Sequence, residues 1–270
     1  MKDQDLVKFN IKTHNNIAKR YEKTHTEIYN KVEQERLRKS LIIAKDSIKT
    51  EDYKKTALDF GCGAGNLTKH LTDIGCEVLA ADVSQGFLDL ISSKVFKEKV
   101  ETVKLNGKDL SNLENNSVDM VCMYSVLHHI PDYLSLISEF MRVLKRGGVL
   151  YMDHEASESF WNKDSNFNKI MFQLKKTRKG DFKKFMFLNN YLDFFIRRFI
   201  NPKFQREGDI HVWQDDHIEW AKIKKQILDN FGEIILEEDY LLYKKGYDVS
   251  LFRENEEKYK DTHLLIARKK

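Results

Sequence analysis

Short apolar stretches alternate with helical patterns through residues 57–153 of this chain. In the short stretches apolar side chains run together or alternate with polar ones, which predicts β-strands. Between them apolar residues recur every three or four positions, which predicts helices that pack on a sheet. Strands that alternate with helices in this way indicate an α/β fold with a largely parallel sheet. Five strands are predicted in this region, at residues 57–60, 77–82, 101–105, 117–124 and 149–153.

Both ends of the chain depart from this alternation. Residues 1–49 are charged and predict two helices, whereas residues 155–215 break the pattern and are interpreted as an insertion. The pattern resumes with a predicted helix at residues 216–231. Two predicted strands follow at residues 233–240 and 263–268, without a full helix between them.

Three glycines at alternate positions follow the first predicted strand, namely Gly61, Gly63 and Gly65. A helical pattern begins directly after them. Glycine is needed where the backbone turns sharply or approaches a ligand without a Cβ in the way. Because open α/β sheets bind nucleotides at the carboxyl end of the first strand, this loop is the predicted ligand site.

Two classes of ligand are considered for this loop, a dinucleotide and a ligand that carries a positive charge. A dinucleotide fingerprint has the form G-x-G-x-x-G, but here the third glycine comes one residue early and Asn66 occupies the position that should be small. Asp59, just before the loop, would repel a pyrophosphate and suit a cation. Asp82 lies 21 residues after Gly61, where an acidic side chain can accept hydrogen bonds from ribose hydroxyls.

Several segments resemble the motifs of class I S-adenosylmethionine-dependent methyltransferases of the small-molecule type. Residues 58–65 resemble the motif (L/V)-(D/E)-x-G-x-G-x-G, and residues 125–132, Ser-Val-Leu-His-His-Ile-Pro-Asp, resemble the phrase S-x-L-H-H-(I/V)-x-D. Residues 142–150 also match that family, and residues 145–148 within them are predicted to end a helix. Residues 16–22 resemble the family's A-x-x-Y-D segment. The resemblance covers residues 17–153 by motif and the last fifty residues by topology only.

The resemblance implies a Rossmann-like, seven-stranded, mostly parallel sheet whose last strand is antiparallel, with N-terminal helices. The inserted helical cap lies outside the resemblance and is predicted from the break in the alternation of strands and helices. Residues 1–50 would form an N-terminal helical lid, and residues 155–210 the inserted cap. Residues 51–154 and 211–270 would form the methyltransferase core. The implied activity is transfer of a methyl group from S-adenosylmethionine to a small-molecule acceptor.

The resemblance also implies which residues bind the cofactor. Tyr21 would lie in the lid that folds over it, although an ordinary helix packed on the sheet edge is the alternative. Asp109 would accept a hydrogen bond from the adenine amino group, and the backbone N–H of Leu110 would donate to the ring. The full predicted set is Tyr21, Asp59, Gly61, Cys62, Gly63, Gly65, Asp82, Val83, Asp109, Leu110, Tyr124 and Ser125.

Methyl transfer to a hydroxyl usually requires a base whose pKa is near neutral, and histidine is the usual choice. His128 and His129 follow the fourth predicted strand, at the edge of the sheet where the methyl group is expected, and are the candidate catalytic residues. The alternative is that one ring packs structurally and the other bonds to the backbone. His154, Glu155, His211 and His217 are more remote candidates.

Composition and charge narrow the remaining function classes. The net charge of +4, from 46 basic and 42 acidic residues, is too small to indicate nucleic-acid binding by itself. Residues 124–127 stand where nucleic-acid amino methyltransferases carry an N/D-P-P-Y/F phrase, so no specific nucleic-acid partner is predicted. Two alternatives stay open: an NAD-dependent oxidoreductase, and a cofactor-binding protein without catalysis.

The cysteines and the N-terminus concern location and metal binding. Cys62, Cys76 and Cys122 have neither zinc-like spacing nor the pattern of a disulfide framework, so no metal site is predicted. The first residues contain no apolar signal-peptide core, and a cytoplasmic location is the simplest expectation.

The predicted insertion is basic and aromatic between residues 169 and 206. One helix face would be apolar, because bulky residues recur every three or four positions. Three interpretations stay open: a cap helix with solvated lysines, an element that closes over an anionic or apolar acceptor, and peripheral contact with an anionic membrane surface. The eleven basic residues are Lys169, Lys175, Lys176, Arg178, Lys179, Lys183, Lys184, Arg197, Arg198, Lys203 and Arg206.

Overall fold

The structure, a computed structural model, describes residues 27–175, 209–230 and 232–270, together with six single residues. These single residues are Asp5, Lys8, Phe9, Ile11, Lys12 and Arg198. Tyr21 lies outside the described residues, and so do residues 176–197 and 199–206 of the basic segment. The predicted lid and most of the predicted cap therefore stay predictions.

Nine strands and eight α-helices are assigned within the described residues, and one short 3₁₀ turn follows the fourth strand. The strands are β1 (Thr56–Phe60), β2 (Glu77–Asp82), β3 (Val100–Lys104), β4 (Val118–Tyr124), β5 (Leu144–Ala156), β6 (Val212–Trp213), β7 (Asp216–His217), β8 (Gly232–Tyr240) and β9 (Thr262–Lys269). The helices are α1 (Lys31–Asp46), α2 (Asn66–Asp73), α3 (Gln85–Ser92), α4 (Tyr133–Val143), α5 (Glu158–Trp161), α6 (Ser165–Leu174), α7 (Trp220–Asp229) and α8 (Val249–Asn255). The 3₁₀ turn spans Leu127–His129.

Seven of these strands form one sheet in the order β3-β2-β1-β4-β5-β9-β8. The pairs from β3 to β5 are all parallel, whereas β9 runs antiparallel to both of its neighbours. The strand order reverses between β1 and β4, so a crevice opens there at the carboxyl ends of the strands. The predicted mostly parallel sheet with an antiparallel last strand is confirmed.

Helices cover both faces of the sheet, because its central strands are apolar on both sides. Every residue of β4 except Tyr124 is buried, as expected of a central parallel strand. On one face α4 and α7 contribute Phe140 and Ile223 to the core. On the other face α1 and α2 contribute Leu41 and Leu71.

Two element boundaries differ from those predicted from the sequence. Residues 145–148 were predicted to end a helix, but they belong to β5, where the pairing with β4 shifts register. Gly148 fits this position because a Cβ would come within 3.0 Å of the Asp119 carbonyl oxygen. The later helix was predicted to begin at Asp216, yet Asp216 and His217 pair with β6 and the helix begins at Trp220.

A buried charged network joins α1 to the far half of the sheet. Arg36 donates from Nε to Glu33 Oε2 at 2.8 Å and from Nη1 to Asp153 Oδ2 at 3.0 Å. The hydroxyls of Tyr151 and Tyr240 donate to Asp153 at 2.6 and 2.8 Å. Asp153 and Glu33 are almost completely buried. This network therefore fixes the helix that precedes the core against β5 and β8.

We expect Asp153→Asn to lower the free energy of unfolding by about 3 kcal/mol. Loss of one partner of a buried ion pair typically costs about 3–5 kcal/mol, and Glu33 still compensates part of the Arg36 charge here. Urea unfolding of both proteins measures the change. Asp229→Asn is the control: it breaks an exposed pair with Lys225 and should shift stability by less than about 1 kcal/mol. Equal effects of the two substitutions would contradict the role assigned to Asp153.

Candidate active site

A cleft opens at the carboxyl ends of β1, β2 and β4, in the crevice where the strand order reverses. It brings together most of the residues that the sequence predicted for cofactor binding, and one of the two candidate catalytic histidines. The predicted residues that line it are Gly61, Gly63, Asp82, Val83, Asp109, Tyr124, Ser125 and His129.

The glycine loop between β1 and α2 uses its glycines for different purposes. Gly61 has a φ of +71°, and a Cβ there would lie 2.7 Å from a methyl group of Val126. Gly63 has a φ of +48°, but a Cβ there would meet only Gly61 O at 3.9 Å. The first glycine is therefore required by packing within the protein, whereas the second leaves backbone open toward the cleft.

Asp82 ends β2 and faces the same cleft. Its Oδ2 accepts from Gly63 N at 3.0 Å and its Oδ1 accepts from Ser84 N at 2.7 Å. Burial raises the pKa of Asp82 above its ordinary value. An ionised carboxylate has about four lone-pair sites, which is more than these backbone N–H groups occupy. The carboxylate thus fixes the loop and keeps the capacity to accept hydroxyl hydrogen bonds.

Asp109 and Leu110 occupy different environments. Asp109 lines the cleft, and Ser111 and Asn106 donate to its carboxylate, which lowers its pKa to about 2. The side chain of Leu110 is completely buried, and its N–H donates to Glu139 Oε2 at 3.1 Å. The structure therefore brings Asp109 to the cleft, but the Leu110 N–H predicted for the adenine ring is engaged with Glu139.

Three further predicted cofactor residues lie behind the cleft surface. Asp59 is buried and accepts from Thr68 Oγ1 at 2.5 Å. Burial raises the pKa of Asp59 to about 7. Cys62 is buried and its N–H donates to the Ala81 carbonyl, whereas Gly65 is the N-cap of α2. These residues shape the loop from inside the protein and do not line the cleft.

The segment after β4 is held by one buried carboxylate, Glu155. Its Oε1 accepts from the N–H groups of Val126 and Leu127, both at 2.7 Å. Its Oε2 lies 2.8 Å from Nδ1 of His128. Glu155 therefore fixes both the 3₁₀ turn and the orientation of the His128 ring, a connection from β5 that the sequence pattern did not reveal.

The two candidate histidines are adjacent but face different cavities. Their ring centroids are 4.2 Å apart. His129 lines the cofactor cleft, whereas His128 lines a neighbouring cavity that shares Ser125 with it. Asp209 lies beside both rings, with Oδ1 3.4 Å from His129 Nδ1 and 3.9 Å from His128 Nε2.

The remote candidates divide between the neighbouring cavity and the protein surface. His154, Glu155 and His211 line that cavity, whereas His217 does not. His154 has a φ of +65° and stacks on Tyr124 with ring centroids 4.6 Å apart. Burial lowers the pKa of His154 to about 4, so its ring is neutral near pH 7. Sequence reasoning missed Asp209, which lies about eighty residues from the histidines and follows no recognisable pattern.

Residues 58–152 match the family model described as a methyltransferase domain. The matched segment runs from β1 to β5 and therefore carries the whole cofactor cleft. Together with the strand order of the sheet, this match makes residues 58–152 similar to a class I S-adenosylmethionine-dependent methyltransferase domain. S-adenosylmethionine is the cofactor that this similarity implies.

The chain is also similar to particular proteins. It is 33% identical over 144 residues to a demethylmenaquinone methyltransferase of Staphylococcus aureus strain JH9, an alignment that covers 50% of this chain and 55% of that protein. The alignment thus spans little more than half the length of that curated relative.

Two solved structures show the same fold. A chain of the complex between the Haloferax volcanii Trm112 methyltransferase activator and a methyltransferase aligns with a TM-score of 0.58 and 14% identity. That alignment covers 94% of this chain and 96% of the other. A methyltransferase of Methanosarcina mazei aligns with a TM-score of 0.53 and 19% identity, over 84% of this chain and 96% of its own.

Among the residues that the structure describes, no helix is both long enough and apolar enough to cross a bilayer.

The buried Asp59 should make stability depend on pH. Its pKa of about 7 in the folded protein exceeds the ordinary value for aspartate, so the folded state binds the proton more tightly. Its contribution to stability is therefore fully present below about pH 4 and is lost as the pH rises through about 7. Asp59→Asn removes this ionisation, so we expect the variant to gain stability relative to the parent between about pH 5 and pH 8.

Urea unfolding at several pH values measures this difference. Asp89→Asn is the control, because Asp89 is an exposed aspartate on α3. Its stability difference from the parent should stay constant over the same pH range. A constant difference for Asp59→Asn as well would show that Asp59 ionises normally in the folded protein.

Proposed function

We propose that this chain is a cytoplasmic enzyme that transfers a methyl group from S-adenosylmethionine to a small-molecule acceptor. The observation that carries the proposal is the position of Asp82, which lines the cleft beside the open backbone of Gly63. When bound, the cofactor supplies a methyl group that its sulfonium already activates.

The lining of the cleft suggests how the cofactor is oriented. Asp82 would accept from the ribose hydroxyls, and Asp109 would accept from the adenine amino group. Tyr124, Ser125 and His129 also line the cleft, and Ser125 lines the neighbouring cavity as well. This arrangement would place the reactive methyl group between the two cavities.

The neighbouring cavity is the proposed acceptor site. It shares Ser125 with the cofactor cleft and combines apolar side chains such as Phe160 and Leu242 with Lys244 and His211. The Staphylococcus aureus relative is a demethylmenaquinone methyltransferase, so demethylmenaquinone is the acceptor of that protein. This similarity supports a small-molecule acceptor for the present chain, and the apolar part of the lining is compatible with one that carries a ring or a hydrocarbon chain.

In this proposal the protein contributes to catalysis mainly by positioning the acceptor atom beside the methyl group. Methyl transfer requires the acceptor atom close to the methyl group and in line with the bond that breaks, in a site that excludes water. The 3₁₀ turn that Glu155 fixes would hold His129 at the junction of the two cavities. His129 is therefore the side chain we expect to contact the acceptor.

Titration calorimetry tests the cofactor. S-adenosylmethionine and S-adenosylhomocysteine should each bind at one site per chain, and NAD should not bind. Incubation of the enzyme with candidate acceptors should then yield S-adenosylhomocysteine, detected by mass spectrometry. Binding of NAD alone would overturn the proposal, whereas cofactor binding without any methylated product would favour a binding protein without catalysis.

Asp82→Ala tests the cofactor orientation. Each hydrogen bond to a charged group contributes roughly 1.5–3 kcal/mol, so we expect S-adenosylhomocysteine to bind at least tenfold more weakly. Asp89→Ala is the matched control, because Asp89 lies on the following helix, is exposed and does not line the cleft. An unchanged affinity in a folded Asp82→Ala protein would show that Asp82 does not bind the cofactor.

A further inference from the structure

Three side chains with metal-binding atoms meet at the edge of the cofactor cleft. Ligand atoms of His128, His129 and Asp209 all lie within 4.8 Å of one another, and each residue is partly buried. Two imidazoles and one carboxylate form a donor set that catalytic zinc sites use, with the fourth position left for water or substrate. The cluster lies outside the glycine loop and the β2 carboxylate that serve the cofactor.

The distances within the cluster suit a tetrahedral ion. Zinc lies about 2.0–2.2 Å from nitrogen and oxygen ligands, so two ligands at a tetrahedral angle are separated by about 3.4 Å. Asp209 Oδ1 lies 3.4 Å from His129 Nδ1. It lies 3.9 Å from His128 Nε2, which corresponds to a wider angle at a shared ion. Both separations are longer than an ordinary hydrogen bond and shorter than about twice the zinc–ligand distance.

The cluster is also oriented by contacts from outside it. Glu155 Oε2 lies 2.8 Å from His128 Nδ1, so the other ring nitrogen of His128 is directed at Asp209. A carboxylate on the second nitrogen of a metal-binding histidine is the usual arrangement in zinc sites, where it fixes the tautomer. Glu155 therefore gives a second and independent indication that this imidazole serves as a ligand.

Backbone contacts hold the third ligand in place. The N–H groups of Ile210 and His211 both donate to the carbonyl of His128, at 2.8 and 3.2 Å. His211 also lies with Nε2 3.0 Å from the Ile130 carbonyl and with Nδ1 2.6 Å from Asp216. The residues around Asp209 are thus fastened to the histidine turn, although they lie about eighty positions away in the sequence.

We propose that His128, His129 and Asp209 bind a divalent transition-metal ion, Zn²⁺ foremost, with its open coordination position toward the junction of the cofactor cleft and the neighbouring cavity. His129 lines that cleft and His128 lines the cavity, so the ion lies between them. If the proposed methyl transfer holds, the ion would meet the acceptor there. The histidines would then act as ligands and not as general bases.

The role of such an ion would be to bind the acceptor. A hydroxyl or phenol oxygen at the open position would be held in place, and it would release its proton to water more easily beside the divalent charge. The alternative is that the three residues form only a histidine–carboxylate ion pair. That alternative predicts no stoichiometric metal binding, so the two can be separated without any acceptor or cofactor.

The test is a Co²⁺ titration of the full chain, prepared without a histidine tag and stripped of metal with a chelator. Four-coordinate Co²⁺ gives intense visible absorption bands, and Zn²⁺ added afterwards should displace it and bleach them. We expect one Co²⁺ per chain. His128→Gln, His129→Gln and Asp209→Asn should each weaken binding at least tenfold, whereas His217→Gln should leave it unchanged, because His217 is a histidine outside the cluster.

Circular dichroism and S-adenosylhomocysteine binding show whether each variant is folded. If His128→Gln fails to fold because Glu155 loses its partner, Asp209→Asn tests the metal site. Asp209 is partly exposed and outside the sheet, so its substitution should not disturb folding. Absence of one-to-one Co²⁺ binding to the parent protein would overturn the proposal. So would tight binding that none of the three substitutions weakens. Neither result would touch the methyltransferase proposal, because the titration contains no cofactor.

Discussion

The arrangement of this protein depends on two buried carboxylates at the end of β5. Asp153 accepts hydrogen bonds from Arg36, from two tyrosine hydroxyls and from the N–H of His154. Two positions later, Glu155 accepts from the turn that follows β4 and contacts His128. A buried charge without partners is costly, so each carboxylate requires the elements around it to keep their positions. One strand end thereby fixes both the N-terminal helix and the histidines of the site.

The two carboxylates have different roles at this edge of the sheet. Asp153 faces the side on which α1 packs, where its partners are buried and its role is to join elements. Glu155 lies at the junction of the cavities, where its partners are the backbone and a side chain of the proposed site. Asp82, at the end of β2, combines both roles, because it holds the glycine loop and faces the cleft. The cofactor cleft is therefore stabilised from the protein interior before any ligand binds.

Features that are local in sequence were predicted, and those that depend on distant contacts were not. Strand positions, the glycine loop and Asp82 follow from periodicity and spacing, because each lies within one strand–loop–helix unit. The contact of the Leu110 N–H with Glu139 could not be predicted from the position of Leu110, since Glu139 lies on a later helix. Asp209 was missed for the same reason: only the fold brings it to His128 and His129. The start of β5 was misplaced because glycines that resemble a helix end also fit an irregular strand pair.

The contact between Gly61 and Val126 links the two halves of the site. No side chain fits at Gly61 while Val126 is present, because the added Cβ would lie within 2.7 Å of it. The glycine loop and the turn that carries the histidines are therefore in direct van der Waals contact. Under the proposed function, redesign for larger acceptors cannot treat position 126 as a freely variable residue. A bulkier side chain there would displace the glycine loop, so acceptor range and cofactor affinity would change together.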